Sequence, residues 1–249
     1  MAEPVIDVRA TGVAEQEWES WRRARAPMTL PAWSRLFVMA AHPDDEVLGA
    51  GGLIAMARTA GIPVTIVTAT DGEGSHPDSL THGPARLARL RVHEARSAAR
   101  ELKTEDPVRL GFPDGELATH ESRLGDRLCA LLEEADEARV GCAVIWRHDG
   151  HPDHEALGRA GAAACAVTGA ELLEYPVWMW QWGDPEHPRL QAEMPVALAL
   201  SPAAREAKNR ALTCFRSQFL PLSDAPADQP IVPAHVLRRF TGPTEIYFR

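Results

Sequence analysis

Continuous apolar runs alternate with helical segments along most of the chain, and this alternation constrains the fold more than any other feature. The apolar runs cover residues 36–41, 64–69, 108–110, 143–146 and 172–177. They are continuous, as expected for parallel strands that are covered on both faces. Helical patterns occupy residues 52–60, 86–102, 122–134 and 154–167. The alternation predicts an α/β fold, a Rossmann-like three-layer αβα arrangement with a mostly parallel sheet.

The two ends of the chain are predicted to belong to the same domain, residues 1–249. Residues 1–30 predict an N-terminal helical extension, with a helix at 12–26 that carries Trp18 and Trp21. Residues 220–235 are rich in proline. Because strand-like sequence resumes at 245–248, the proline-rich segment is expected to be an ordered loop or lid and not a linker between domains.

The composition excludes several classes of function. Lys and Arg number 26 and Asp and Glu number 35, so the net charge is −9. Such a charge argues against nucleic-acid binding and against anionic membranes. No segment approaches the roughly 20 apolar residues that span a bilayer, and the four cysteines are far apart. We therefore expect a cytoplasmic protein with no membrane insertion. A homo-oligomer is compatible with the sequence, which does not determine the oligomeric state.

A polar segment, residues 42–46, directly follows the first apolar run. In open α/β sheets, ligands bind beyond the carboxyl ends of the strands. His42 and Asp45 are three residues apart where a loop becomes a helix, so both side chains can converge on one ion. Asp44, if unligated, would feel repulsion from Asp45, and its raised pKa would suit a general base. Capping of the helix N-terminus alone would explain one or two of the acids but not His42.

A second polar segment, residues 151–155, follows a later apolar run. His151 and His154 are three residues apart near the start of a helix. His154 is expected to face the end of the sheet, and His151 to reach a bound substrate. Asp153 could accept a hydrogen bond from one imidazole and fix its tautomer. Two imidazoles and a carboxylate suit a hydrolytic metal site, although the residues alone do not decide which imidazole binds the metal.

Both segments resemble the strongest motifs of the PIG-L/LmbE-like family of zinc-dependent N-deacetylases. These motifs are (A/P)HPDDE and HPDH, which stand here at residues 41–46 and 151–154. Weaker similarities to the family are T-x-G-E at 70–73, R-x-x-E at Arg91 and Glu94, L-G-x-P-D-G at 110–115, and K-x-x-A-L…S-Q at 208–218. The resemblance begins near residue 35 and leaves the first thirty residues unexplained.

The resemblance implies an LmbE-like fold and a role for each polar residue of the two motifs. It implies three ligands for one zinc ion per chain, which are His42, Asp45 and His154. The same donors also suit Fe²⁺ or another divalent ion. It further implies three catalytic residues: Asp44 as general base, protonated His151 at the oxyanion, and Asp153 tuning His151. The implied reaction removes an acetyl or other acyl group from an N-acyl amino sugar or related glycoside by zinc-activated water.

Substrate contacts are predicted from the segments around these motifs. Trp178, Trp180 and Trp182 alternate along the chain, which predicts that they share one face. That face either stacks on a sugar or an aromatic aglycone, or packs as a wedge in the core. The residues predicted to bind substrate are Glu73, Arg86, Arg91, Trp178, Trp180 and Gln218.

Two other functions remain open from the sequence. The same ligands could serve a metal-dependent phosphoesterase, a class that normally uses two metals about 4 Å apart. A non-catalytic sugar-binding relative is the other alternative, but a binder would need neither Asp44 nor His151. The predicted partner is a small N-acylated sugar-type substrate.

Overall fold

A parallel five-stranded sheet lies at the centre of the protein. The structure, a computed structural model, describes residues 6–135 and 138–249, so residues 1–5 of the predicted N-terminal extension lie outside the described residues. The strands are β1 Ala26–Met28, β2 Arg35–Ala40, β3 Val64–Thr68, β4 Val108–Arg109, β5 Val140–Ile145, β6 Glu171–Tyr175, β7 Val196–Ala199 and β8 Thr244–Tyr247.

Helices cover the sheet on both faces. The helices are α1 Glu15–Arg23, α2 Asp45–Thr59, α3 Pro84–Glu101, α4 Glu121–Glu133, α5 Pro152–Thr168, α6 Met179–Trp182, α7 Pro188–Ala192, α8 Pro202–Leu212, α9 Arg216–Phe219 and α10 Ala234–Leu237. α8 packs on α2 and α3, whereas α4 packs on α5. The predicted three-layer α/β fold with a mostly parallel sheet is therefore confirmed. Within the described residues, none of the helices combines the length and apolarity needed to cross a bilayer.

The strand order creates one natural binding position. The order is β4-β3-β2-β5-β6, with every neighbouring pair parallel. From β2 the chain proceeds outward through β3 and β4, then returns to build β5 and β6 on the other side. The carboxyl ends of β2 and β5 are thus the topological switch point, where open α/β sheets bind ligands. Both polar segments of the sequence follow these two strands.

A second sheet of three strands was not predicted. In it β7 pairs with β1 in parallel and with β8 in antiparallel orientation. Reciprocal backbone bonds between Glu174 and Phe248 join its end to β6. β1 has three residues and β7 has four, which is too short for a periodic signal. The strand expected at 245–248 is confirmed as β8.

Helix α2 begins at Asp45, seven residues before the predicted start at Gly52. Glycine disfavours a helix by about 1 kcal/mol relative to alanine. The glycines of this segment therefore kept its first turns from being predicted as helix. Close packing explains them: a Cβ at Gly49 would lie 2.0 Å from the Tyr175 ring, and one at Gly52 would lie 2.5 Å from Leu200. The early start places Asp45 in the first turn of the helix.

The expectation that Trp178, Trp180 and Trp182 share one face is wrong. β6 ends at Tyr175 and a short helix, α6, follows, so the period of two does not apply. Trp180 packs edge-on against Trp18 of α1, with ring centroids 5.0 Å apart. It belongs to a core wedge, as one of the two interpretations held.

Candidate active site

Three side chains from the two polar segments converge at the switch point. His42 Nδ1 lies 3.2 Å from His154 Nε2, and each nitrogen lies 3.4 Å from Asp45 Oδ2. All three residues are buried. A tetrahedral zinc ion with bonds of 2.0–2.1 Å to nitrogen holds its donor atoms about 3.3–3.4 Å apart. The triangle of nitrogen and oxygen atoms therefore has the chemistry and the dimensions of three zinc ligands.

A strained turn separates the two neighbouring aspartates. Asp44 has φ of 131°, in the region that non-glycine residues rarely occupy. Its carbonyl accepts bonds from the backbone N–H groups of Val47 and Leu48, which starts α2. Its own N–H donates to Glu46 Oε2 at 3.1 Å. The turn lets Asp45 reach the imidazoles while Asp44 lines the adjoining cavity.

A buried carboxylate orients His154. Asp149 Oδ2 lies 2.8 Å from His154 Nδ1. This contact favours a proton on Nδ1 and turns Nε2 toward His42 Nδ1 and Asp45 Oδ2. The Asp149 carboxylate also accepts bonds from the N–H groups of Val177, Trp178 and Met179. One side chain thus fixes His154 and the loop after β6 together.

His42 is oriented by two other carboxylates. Its Nε2 lies 3.0 Å from Asp114 Oδ1 and 3.4 Å from Asp153 Oδ2, which leaves Nδ1 to face His154 Nε2 and Asp45 Oδ2. Asp153 in turn accepts N–H bonds from Gly115 and Leu117. These bonds hold the Asp153 carboxylate beside His42. The resemblance had implied instead that Asp153 acts on His151.

The charges at this site favour a cation. Burial alone would lower the pKa of His42, but its bonds to Asp114, Asp153 and Asp45 outweigh burial and raise the pKa well above the usual value. Burial would raise the pKa of Asp45, but the neighbouring charge of His154 and the contacts with His42 lower it. Carboxylates thus outweigh the cost of placing a positive charge here, which supports the fit to a metal ion.

Asp44 stands beside this triangle with a raised pKa. Burial is the largest cause, and the value reaches about 7. The charge of Arg91 lowers it and the charge of Asp45 raises it by less. The sequence predicted the raised pKa but assigned it to repulsion from Asp45, which is only a secondary cause.

His151 lies on the other side of the triangle. Burial, followed by the charges of His154 and His42, lowers its pKa to about 3. This low pKa favours the neutral ring, whereas the resemblance implied a protonated His151. The backbone N–H of Asp153 donates to His151 Nδ1 at 3.2 Å, so the neutral ring carries its proton on Nε2. The neutral form still has one N–H to donate.

A cavity of about 370 Å³ opens over these groups. The described side chains around it include all three proposed ligands, Asp44 and His151. From the predicted substrate contacts it includes Arg91, Trp178 and Gln218, but not Glu73, Arg86 or Trp180.

The three predicted contacts outside the lining have other partners. Glu73 Oε1 accepts a bond from the N–H of Asp114 at 3.1 Å and so supports the loop after β4. Arg86 is exposed and donates to the Thr81 carbonyl. Trp180 packs in the core wedge beside α1.

Arg91 lines the cavity, but its guanidinium is engaged by the protein itself. It bonds the carbonyls of Gly72 and Pro43 and contacts Asp44 at 3.3 Å. Arg91 is therefore placed to position Asp44.

Two carboxylates of the site were missed from the sequence. No role was predicted for Asp149, and Asp114 entered only as one position of the L-G-x-P-D-G similarity at 110–115. Their shared signal is position, because each follows a strand of the parallel sheet and precedes the next helix. The N-terminal segment was also missed, since Ile6 and Val8 line the cavity.

Comparison with known proteins decides the family. A family model described as PIG-L, GlcNAc-PI de-N-acetylase, matches residues 37–165, more than half of the chain. The chain belongs to the PIG-L family. The match includes both motif segments and every proposed metal ligand, and it confirms the resemblance that the motifs indicated.

Curated relatives of this PIG-L protein act on N-acetylated sugars according to their names. The chain is 30% identical over 145 residues to a probable N-acetyl-alpha-D-glucosaminyl L-malate deacetylase 2 of Bacillus cereus, covering 57% of this chain and 64% of the relative. It is 34% identical to 1D-myo-inositol 2-acetamido-2-deoxy-alpha-D-glucopyranoside deacetylase 1 of Saccharopolyspora erythraea, covering 56% of each. The matches thus span less than two thirds of these relatives.

Solved structures share the fold. A conserved protein of Thermus thermophilus is 28% identical with a TM-score of 0.55, covering 74% of this chain and 79% of that one. Teicoplanin deacetylase is 17% identical with a TM-score of 0.63, covering 86% of this chain and 97% of that one. The second likeness concerns the fold alone.

Proposed function

We propose that this PIG-L protein is a zinc-dependent N-deacetylase that removes the acetyl group from an N-acetylated amino sugar or related glycoside. The observation that carries the proposal is the triangle of His42, Asp45 and His154 donor atoms, 3.2–3.4 Å apart, beside a buried Asp44 at a cavity. The names of the relatives from Bacillus cereus and Saccharopolyspora erythraea agree with this substrate class. The cytoplasmic location stays a prediction of the sequence.

The chain's own groups would divide the reaction between them. His42, Asp45 and His154 would hold the metal, which when bound would polarise the amide carbonyl and acidify water. Asp44, with a pKa of about 7, can take a proton from attacking water and return it to the leaving amine near neutral pH. Neutral His151 would donate Nε2–H to the developing oxyanion, a contribution of roughly 3–4 kcal/mol in other hydrolases.

The arrangement counts against the two-metal phosphoesterase. A second group of possible ligands exists at His42, Asp114 and Asp153. This second group uses Nε2 of His42, whereas the first group uses Nδ1 of the same ring. Two ions bonded to these two nitrogens would lie roughly 6 Å apart for metal–nitrogen bonds of about 2 Å. Two-metal hydrolases need a separation of about 3.5–4 Å. Asp114 and Asp153 are better explained as carboxylates that orient His42.

The proposal is tested by zinc analysis and an acetate-release assay. The substrates are N-acetylglucosaminyl malate, N-acetylglucosaminyl inositol and diacetylchitobiose. We expect about one zinc ion per chain and release of acetate. Asp44→Ala should keep zinc and lower turnover by about 10²–10⁴-fold, the usual contribution of a general base. Asp78→Ala, an exposed aspartate of the loop after β3, is the matched control and should behave like wild type.

Two results would overturn these assignments. A zinc-loaded protein that releases acetate from no N-acetylated sugar would count against the reaction. An Asp44→Ala variant with more than a tenth of wild-type turnover would remove Asp44 from the role of base.

A further inference from the structure

We propose that the amino-sugar substrate carries an apolar aglycone, and that Ile6, Val8 and Trp178 form the subsite that receives it. This inference rests on the proposed N-deacetylase function and names a substrate class for the same cavity. The observation behind the proposal is that an N-terminal segment lies beside the loop after β6 at one end of the cavity.

The cavity lining changes character along the edge of the sheet. Gly74 and Ser75 follow β3 and Asp114 follows β4, so the end over these strands is polar. The metal position lies over β2 and β5. Val177 and Trp178 follow β6, on the far side. Because neighbouring strands are about 4.8 Å apart, the apolar end begins roughly 5–10 Å from the metal position.

The N-terminal segment extends this apolar end. Gln181, just after Trp178, donates Nε2–H bonds to the carbonyls of Asp7 and Ala10 at 2.9 and 2.7 Å. Arg239 donates to the carbonyls of Thr11 and Val13. These backbone bonds hold the segment beside the β6 loop. Ile6 and Val8 therefore become part of the cavity wall, although both precede the residues that match the family.

Part of the proline-rich segment forms another apolar wall. Pro230, Ile231 and Val232 line the cavity, and the N–H of Val232 donates to the carbonyl of Gln218 at 3.0 Å. The predicted loop or lid at 220–235 thus contributes side chains to the cavity. Ile6, Val8 and Trp178, as well as Ile231 and Val232 beside Gln218, lie outside residues 37–165, which match the family model.

The aglycone is the group that fits this end. The proposed reaction removes a two-carbon acetyl group, which needs little apolar surface. A sugar ring offers hydroxyl groups, which suit the end near Ser75 and Gln218. What remains for Trp178, Ile6 and Val8 is the substituent on the sugar. Each methylene that enters an apolar subsite is worth about fourfold in affinity.

The test compares octyl and methyl glycosides of N-acetylglucosamine, both below the critical micelle concentration of the octyl compound. We expect kcat/KM for the octyl glycoside to exceed that for the methyl glycoside at least tenfold. The double variant Ile6→Ser/Val8→Ser should lower this ratio at least fivefold. Val167→Ser, at a position 71% exposed on α5, is the control and should keep the ratio.

A second series and a binding measurement separate the outcomes. Equal kcat/KM for both glycosides, with acetate released, would overturn the apolar subsite while the N-deacetylase function stands. A preference for N-octanoyl over N-acetyl glucosamine methyl glycoside would assign the apolar end to the acyl group and overturn the aglycone assignment. If no substrate is hydrolysed, the proposed function fails. Calorimetric binding of both glycosides then tests the subsite by itself, and equal affinities would overturn it.

Discussion

Replacing Arg91 by glutamine should shift the acid limb of the pH profile to higher pH. Asp44 must be ionised to act as a base, so kcat/KM falls as the pH drops through its pKa. Burial raises that pKa to about 7, while the charge of Arg91 lowers it. Loss of the guanidinium charge removes the lowering contribution. The pKa of Asp44 therefore rises, and activity is lost at a higher pH than in wild type.

The size of the shift follows from the contact. Arg91 Nη2 lies 3.3 Å from Asp44 Oδ1, and both side chains are buried. Coulomb's law at an effective dielectric constant of about 20 gives roughly 5 kcal/mol for unit charges at this distance. Since Arg91 also bonds two backbone carbonyls, part of its charge is engaged elsewhere. An arginine beside an aspartate typically moves the pKa by 1–3 units, or about 1.4–4 kcal/mol, and we expect a shift in that range.

The assay measures kcat/KM from pH 5 to pH 9 with the best N-acetylated sugar and saturating zinc. Bound zinc adds positive charge and moves the acid limb of wild type and of Arg91→Gln to lower pH. The quantity of interest is therefore the difference in pH between the two acid limbs. Arg86→Gln is the matched control because it makes the same change on the same helix at an exposed position. Arg91→Lys keeps a positive charge and should shift less than Arg91→Gln.

The outcome can refute the reasoning directly. An acid limb that stays in place in Arg91→Gln, in a variant with wild-type zinc content and a cooperative thermal unfolding transition, would show that Arg91 does not control the ionisation of Asp44. A shift of equal size in Arg86→Gln would show a general charge effect.

Three further predictions concern the metal and the packing around it. Asp149→Asn should weaken zinc affinity by about 10–100-fold, as loss of a carboxylate behind a ligating histidine does elsewhere; unchanged affinity in a chelator competition would contradict its orienting role. Removing zinc from a solution at 100 times its Kd should lower the free energy of unfolding by about 2.7 kcal/mol, seen as a lower Tm; an unchanged Tm would mean that the folded protein does not bind zinc preferentially. Gly49→Ala places a Cβ 2.0 Å from the Tyr175 ring and should cost about 1–3 kcal/mol of stability, whereas Gly125→Ala, with open space at its Cβ, should not destabilise.

The strands of the main sheet and the two polar segments of the site were predictable because each is marked by residues that are close together in the sequence. Continuous apolar runs identified the five strands of the main sheet, with ends displaced by a few residues. The positions of the two polar segments after two such runs predicted that they share an ion, since parallel strands end at one edge. The family resemblance then implied His154, and not His151, as the ligand. The start of α2 was harder to predict because its first turns contain glycines. Gly49 is required there by the close approach of the Tyr175 ring, which is distant in the sequence.

Contacts between distant segments were not predictable in the same way. Asp114 reaches His42 from the loop after β4, and Asp149 reaches the loop after β6. The residues next to each aspartate do not indicate which distant group it contacts. Ile6 and Val8 line the cavity only because Gln181 and Arg239 bind the backbone of the N-terminal segment. Such bonds use backbone carbonyls, which every residue possesses, so no residue type marks them.

The carboxylates around His42 and His154 favour binding of a cation at the site. Five aspartates cluster beyond the carboxyl ends of β2, β4 and β5, namely Asp44, Asp45, Asp114, Asp149 and Asp153. Within the described part of the chain, the cavity lining includes one arginine and no lysine. Burial of like charges is costly unless an opposite charge or hydrogen bonds compensate. Backbone N–H groups satisfy Asp149 and Asp153, and Arg91 contacts Asp44. Asp45 Oδ2 accepts the backbone N–H of His42 and faces two imidazoles whose other nitrogens contact acids. A divalent ion held by these three groups would add positive charge beside the acids, so the proposed metal binding and the burial of the acids favour the same arrangement.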